Sequence, residues 1–288
     1  MSQANLSRRL SAQDATFLYF EREDSPMNIG SVAVFQGQIP YDKFVKNIED
    51  KIHLIPRYQQ RIIPAPLNLS HPTWEWDPDF DIRRHIMPVR LDPPGNLDQL
   101  RELASRLFQG RLSRDKPLWE LYLVHGVEGD RSALVSKVHH CLVDGVSGIE
   151  LLMIVMDVSP NPPPPPPPPE PVAVGPIPDP ISRFFNAVFD RMADNLRTTA
   201  DIQKALLSAI DNPASVRSLN RALETALPYF LRPGRRAPFN KPFSGERKQA
   251  WSECSFAEVR AIRQACGGTV NDVVLAILGG ALSRYYEA

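Results

Sequence analysis

The sequence lacks a net charge, a disulfide framework and an apolar run long enough to span a bilayer. Its 33 basic and 33 acidic residues cancel, so any binding of nucleic acid or an anionic membrane needs a local patch. Three cysteines without metal-site spacing fit a reducing compartment better than a disulfide framework. The N-terminal segment has no apolar signal core. We therefore expect a cytoplasmic protein that is at most peripheral to a membrane, with no metal site and no nucleic-acid partner.

Proline is common but concentrated in one segment, which contains the unbroken run Pro162–Pro169. Such a run favours an extended polyproline II rod without hydrogen-bonded partners. We predict a linker at residues 159–180, between an N-terminal domain at 1–158 and a second region at 181–288. The alternative is a ligand for a proline-binding module.

Before the linker, helix and strand patterns alternate. Ser11 and Asp14 form a capping box that predicts a helix through Phe20. The other predicted helices lie at 41–53 and 97–109, and the predicted strands at 31–35, 73–76, 84–91, 118–126 and 133–140. The turn signal VEGD joins the last two strands, which we expect to pair. This order predicts a mixed α/β fold with a sizeable core.

The region after the linker is predicted to be mainly helical. An aromatic-rich helix at 181–210 fits either a core-facing or a lipid-facing position. The basic loop RPGRRAPFNKPFSGERK precedes a predicted strand at 250–254. A helix opened by Ser255 and Glu258 follows, and the apolar last helix, 270–286, is expected to be buried on most sides.

The segment KVHHCLVDGVSG, residues 137–148, lies where a strand pattern meets a helix pattern. Successive strand residues point to opposite faces, so His139 and His140 are poorly placed to bind one metal ion. Both could be core histidines, and Asp144 could cap a helix near Gly145. The combination nevertheless favours chemistry, because an imidazole can act as a general base on a hydroxyl group.

HHCLVDG resembles the HHxxxDG motif of acyl-CoA-dependent acyltransferases. Four further blocks narrow the resemblance to the bacterial wax ester synthase/diacylglycerol acyltransferase family: LSAQDATFLYFE, MNIGSVAVF, DKPLWELYLVHG and GGTVNDVVLAILGGALSRY. The resemblance implies a chloramphenicol acetyltransferase-like, CoA-dependent acyltransferase fold. Family members continue beyond the NDVVLA block, so it also implies a C-terminally truncated chain with an incomplete second domain.

By this resemblance, His140 is the base that deprotonates the acceptor alcohol, and His139 supports the site. Asp144 holds the loop in shape, and Gly145 permits a close approach of substrate or backbone. A thioester is already activated, so the reaction needs acyl-CoA as co-substrate and no cofactor. The sequence contains no G-x-S-x-G nucleophile elbow, which argues against a covalent acyl-enzyme hydrolase.

Three other groups have two interpretations each. Pro117, Leu118 and Trp119 form either an apolar structural wall or a contact with the acyl chain. Asp272 caps a helix with Thr269, whereas the resemblance gives both Asn271 and Asp272 a site role. Basic residues of the loop, Arg235 and Arg236 among them, either bind CoA phosphates or belong to a solvated loop.

Two classes of function remain open. One is an O-acyltransferase that makes triacylglycerol or wax esters from acyl-CoA and diacylglycerol or a long-chain alcohol. Such an enzyme would work in the cytoplasm, at the periphery of the inner membrane or of lipid droplets. The other is an inactive family member that binds lipid, CoA or a partner without turnover. A condensation-type enzyme using carrier-protein thioesters is disfavoured by the PLW and NDVVLA blocks. Because the second domain is expected to be incomplete, we expect little turnover by this chain alone.

Overall fold

The computed structural model describes residues 8–143, 156–157, 159, 162–168, 178–211 and 244–287. The chain divides into two compact units, Met1–Ile202 with Ser244–Gln249, and Gln203–Phe243 with Ala250–Ala288. The expected boundaries at residues 158 and 180 stay predictions. Within the predicted linker, residues 162–168 are neither helix nor strand, and the linker itself stays a prediction.

In the first unit, helices and strands alternate as predicted. The elements are α1 (Ala12–Phe20), β1 (Asn28–Gln36), α2 (Tyr41–Lys51), β2 (Gln60–Ile63), β3 (Thr73–Trp76), β4 (Ile86–Arg90), α3 (Leu97–Leu107), β5 (Trp119–Val127), β6 (Arg131–His139) and the first part of α4 (Pro180–Asp211). The sequence patterns did not predict β2, which has four residues and pairs with β3. The mixed α/β class is confirmed.

The main sheet has the strand order β1-β6-β5-β4. β6 lies between β1 and β5 and runs antiparallel to both, as the VEGD turn predicted for β5 and β6. β4 runs parallel to β5 at the edge. This order places the end of β6, where the histidine pair begins, inside the sheet.

The sheet has an apolar core on each face. On one face, Leu123 and Leu134 pack with residues of α1 and α2. On the other, Val124 and Val135 pack with α3. Because side chains alternate along a strand, neighbouring residues of β6 enter different cores.

The helix starts follow local capping chemistry. The side chain of Ser11 accepts a hydrogen bond from the Asp14 backbone N–H, as predicted. Asn96 and Gln99 form a reciprocal capping box at the start of α3. Gly110, with φ 72°, follows the end of α3 and adopts the left-handed conformation that favours glycine.

The described part of the second unit contains α5 (Phe256–Cys266) and α6 (Val270–Glu287). The capping pair Thr269 and Asp272 is confirmed by hydrogen bonds in both directions. The predicted strand at 250–254 is wrong, because the described residues supply no partner strand for it. Ser255 precedes α5 but its side chain makes no capping bond.

The apolar residues of α6 are mostly exposed, as expected for a helix of this pattern without a sheet to pack against among the described residues. Val273 is buried, whereas four neighbours are 44–56% exposed: Val274, Leu275, Ile277 and Leu278. Among the described helices, none alone is long and apolar enough to cross a membrane. α5 and α6 together have the length and apolar composition of a membrane span, but a 98° bend separates them. The exposed residues of α6 form an apolar patch of a kind that drives association.

We expect the purified chain, of 32.4 kDa, to elute from size-exclusion chromatography as species larger than a monomer. The double substitution Leu275→Gln/Leu278→Gln should shift it toward the monomer, because it removes exposed apolar area. Leu54→Gln is the control, since Leu54 is 45% exposed on the first unit. Light scattering that shows a monomeric wild-type chain would contradict this prediction.

Candidate active site

The two histidines occupy the junction between β6 and a single 3-10 turn, His140–Leu142. The His139 N–H donates to the Leu118 carbonyl at 3.0 Å, and the His140 N–H donates to the Met27 carbonyl at 2.8 Å. Consecutive backbone groups are therefore bound from opposite sides. The two side chains differ in burial: His139 is buried, whereas His140 is partly exposed.

His139 is buried, with 1% of its surface exposed. Its Nδ1 atom accepts the Cys141 backbone N–H at 3.1 Å and lies 2.9 Å from the Cys141 Sγ atom. Burial raises the pKa of the Cys141 thiol, which therefore stays protonated at neutral pH. With Nδ1 acting as an acceptor, the neutral ring carries its hydrogen on Nε2.

The Nε2 atom of His139 lies 3.3 Å from Oε1 of Glu21, whose side chain is 1% exposed. This distance suits a charge contact, but the ring N–H is not aligned well enough for a hydrogen bond by strict geometry. Glu21 also accepts the Met27 backbone N–H at 3.2 Å and Arg114 Nη2 at 3.0 Å.

The pKa of Glu21 reflects these contacts. Burial by itself raises the pKa, but the interactions with His139, Arg114 and the Met27 N–H outweigh it and lower the pKa to about 2. Glu21 is therefore a carboxylate throughout the neutral range.

His140 is only partly buried and stacks on the Phe17 ring, with the ring centroids 3.8 Å apart and the planes at 13°. Its Nδ1 atom is buried and has no hydrogen-bond partner in the described part of the chain. α1 thus supplies a flat apolar surface that restricts rotation of the His140 ring. This packing leaves Nε2 as the nitrogen to assign to proton transfer.

Sequence reasoning missed Phe17, Glu21 and Met27 as site residues. Phe17 and Glu21 are four residues apart at the end of α1, so they lie on one side of the helix. Both fall within the block LSAQDATFLYFE. This block was the sequence signal that could have pointed to them, but it supported the family resemblance without indicating a role for either residue.

The PLW block lies beside the histidines but inside the core. Pro117, Leu118 and Trp119 are buried, and the Trp119 indole N–H donates to the Tyr58 carbonyl at 2.7 Å. His85 stacks on the Trp119 ring at 4.3 Å, and burial lowers the pKa of His85 to about 4, so that ring is neutral at pH 7. This environment favours the structural interpretation; acyl-chain contact stays a prediction.

The other candidate residues lie in the second unit or outside the described residues. Asn271 and Asp272 belong to the second unit, where Asp272 caps α6. Asp144, Gly145, Arg235 and Arg236 lie outside the described residues, so their roles stay predictions. Arg247 of the basic loop donates to the Pro26 carbonyl at 3.1 Å. No group of three potential metal ligands occurs among the described residues.

The family model of the wax ester synthase/diacylglycerol acyltransferase catalytic domain matches residues 10–274. The chain belongs to this family. Two putative diacylglycerol O-acyltransferases of Mycobacterium tuberculosis H37Rv are similar to it: one is 32% identical, covering 96% of this chain and 54% of the relative, and the other 31% identical, covering 97% and 59%.

The solved wax ester synthase/diacylglycerol acyltransferase from Marinobacter aquaeolei VT8 matches with a TM-score of 0.57 at 24% identity. The match covers 96% of this chain and 60% of that chain. The CoA-dependent acyltransferase fold expected from the resemblance is thereby confirmed. This family member spans little more than half the length of the curated relatives that it matches.

The low pKa of Glu21 makes the stability of this family member depend on pH. Because the folded-state pKa lies below the usual 4.5, Glu21 contributes stability that is fully present above pH 4.5 and is lost as the pH falls toward 2. The difference between 4.5 and about 2 corresponds to about 3 kcal/mol. In urea titrations, Glu21→Gln should therefore cost more unfolding free energy at pH 6 than at pH 3.

Glu23→Gln is the matched control for this measurement, since the Glu23 side chain is 89% exposed and pairs with Arg111 at the surface. It should change the free energy of unfolding little at either pH. An equal loss for Glu21→Gln at pH 6 and pH 3 would show that the carboxylate charge is not what stabilises the fold.

Proposed function

We propose that this chain carries the base of an O-acyltransferase site, which transfers a fatty acyl group from acyl-CoA to diacylglycerol or a long-chain alcohol. The observation that carries the proposal is the placement of His140, partly exposed and stacked on Phe17 at the end of a fixed strand. Membership of the acyltransferase family and the names of the relatives support the choice of substrates.

The reaction follows from one proton transfer in each direction. His140 Nε2 takes the proton of the acceptor hydroxyl group, and the alcohol oxygen attacks the thioester carbonyl carbon. The resulting oxyanion collapses, the carbon–sulfur bond breaks, and the protonated ring returns the proton to the CoA thiolate. The products are an ester and free CoA. A fixed ring orientation favours both transfers, because the donor and acceptor atoms must align within hydrogen-bond reach.

His140→Ala should lower ester formation by about 10²- to 10⁴-fold, the usual contribution of a general base. His139→Ala should cost less turnover, because His139 is buried on the other face of β6. The assay uses acyl-CoA with hexadecanol or diacylglycerol, on the 288-residue chain where it shows turnover and otherwise on the matching histidines of a full-length family member. Circular dichroism confirms that each variant folds. A loss of less than tenfold for a folded His140→Ala would exclude this role.

The second candidate function is binding of acyl-CoA or lipid without turnover. The observation that favours it is that the chain covers 54–59% of the length of its M. tuberculosis relatives. The same assay separates the two candidates: product formation supports the transferase, whereas acyl-CoA binding by calorimetry without product supports a binding role.

We further propose that the chain works at the cytoplasmic surface of a membrane or at a lipid droplet, where its acceptors reside. The support is an apolar stripe on α4 formed by large side chains that are 55–72% exposed: Ile181, Phe185, Phe189, Met192 and Leu196. The exposed Arg191 lies on the same helix. An exposed aromatic stripe with an adjacent cation suits the interface of an anionic bilayer.

Flotation of the full chain with phosphatidylglycerol vesicles tests this placement. The wild type should float with the vesicles, and Phe185→Gln/Phe189→Gln should reduce the bound fraction at least severalfold, because two aromatic anchors are lost. Leu54→Gln is the control, since Leu54 is 45% exposed and is not part of the α4 stripe. Equal binding by the wild type and the double variant would contradict a role for this stripe.

A further inference from the structure

We propose that Glu21, paired with Arg114, is a positioning residue that holds His139 in one ring orientation and thereby fixes the junction carrying His140. The structural part of this inference concerns His139 alone. Its consequence for catalysis rests on the proposed function of His140.

The first argument is the tautomer of His139. Its Nδ1 atom accepts the Cys141 backbone N–H, so the hydrogen of the neutral ring is on Nε2. Nε2 faces a single charged oxygen, Glu21 Oε1, at 3.3 Å. A flipped ring would turn a carbon toward the carboxylate and leave the Cys141 N–H without its acceptor, which is costly in a buried site.

The second argument is that Glu21 is itself held firmly. Arg114 Nη2 donates to Glu21 Oε2 at 3.0 Å and also approaches the Leu18 carbonyl at 3.3 Å. The Met27 N–H binds the other carboxylate oxygen. A buried carboxylate is tolerated when it is paired and hydrogen-bonded. Arg114 therefore permits a buried carboxylate to sit beside His139.

The third argument is a backbone link to His140. The Met27 peptide donates its N–H to Glu21 Oε1, and the Met27 carbonyl accepts the His140 N–H at 2.8 Å. Glu21 thus contacts His139 directly through its side chain, and it is linked to His140 through the Met27 peptide. Loss of the carboxylate is expected to loosen both sides of the junction.

A neighbouring ion pair provides an internal control. Glu23 and Arg111 are 3.3 Å apart, with side chains 89% and 40% exposed. This pair resembles Glu21 and Arg114 in chemistry and sequence position but lies at the surface. Substitutions of Glu23 therefore report the effect of removing a charge near the junction without removing the acceptor for His139.

The structural test is nuclear magnetic resonance of the full chain labelled with ¹⁵N-histidine, with His139 assigned from its loss in His139→Gln. The wild type should show His139 as one tautomer protonated at Nε2. Glu21→Ala should give a mixed or reversed tautomer pattern, and Glu23→Ala should leave the pattern unchanged. An unchanged pattern in a folded Glu21→Ala overturns the proposal.

Glu21→Gln keeps the size of the side chain, so it replaces Glu21→Ala in this experiment if Glu21→Ala does not fold. It removes the carboxylate charge 3.3 Å from His139 Nε2, so the His139 Nε2–H proton resonance should move upfield while Glu23→Gln leaves it in place. The absence of any shift in Glu21→Gln equally overturns the proposal.

Turnover provides the catalytic readout. Glu21→Gln should lower kcat by roughly 10- to 100-fold, the size expected of misplaced groups, with a KM within about twofold of wild type because substrate contacts are kept. Glu23→Gln should retain wild-type kcat. A wild-type chain without turnover contradicts the proposed function alone, since the His139 resonances still decide the positioning role.

Discussion

The position of the candidate base depends on two backbone hydrogen bonds at the end of β6. One binds His139 to the Leu118 carbonyl, and the next binds His140 to the Met27 carbonyl. Leu118 precedes β5 and Met27 precedes β1, so both sheet neighbours of β6 contribute. Because neither bond uses a side chain, both imidazoles remain available for other contacts. The sheet order therefore sets the backbone of the junction, and side-chain contacts are left to set the orientation of each ring.

The two imidazole rings at this junction have different surroundings. The His139 side chain meets Glu21 and Cys141, and all three residues are buried. His140 leaves the strand toward α1 and stacks on Phe17 while staying partly exposed. A buried ring with fixed partners suits support, and a partly exposed ring suits proton transfer. This asymmetry fits the proposed division in which His140 reacts and His139 supports it.

Local signals predicted most elements, because capping residues, turn residues and apolar periodicity act over a few neighbours. The Ser11 and Thr269 caps and the paired strands β5 and β6 are confirmed on this basis. The strand predicted at 250–254 is wrong because a strand also needs a partner, which its own sequence cannot supply. Glu21 escaped prediction for a similar reason: a glutamate after a helix is ordinarily solvated, and only tertiary packing brings His139 and Arg114 to it.

Burying a carboxylate beside the histidines links the chemistry of the site to the stability of the fold. Unpaired, the Glu21 charge would oppose folding, since a buried ion without partners is strongly unfavourable. Arg114 and the Met27 N–H offset that cost, and His139 then faces a carboxylate whose pKa of about 2 keeps it anionic. A substitution at Glu21 consequently acts on stability and on ring orientation at once. The surface pair Glu23 and Arg111 separates these effects from those of charge alone, because its solvated side chains bear on neither.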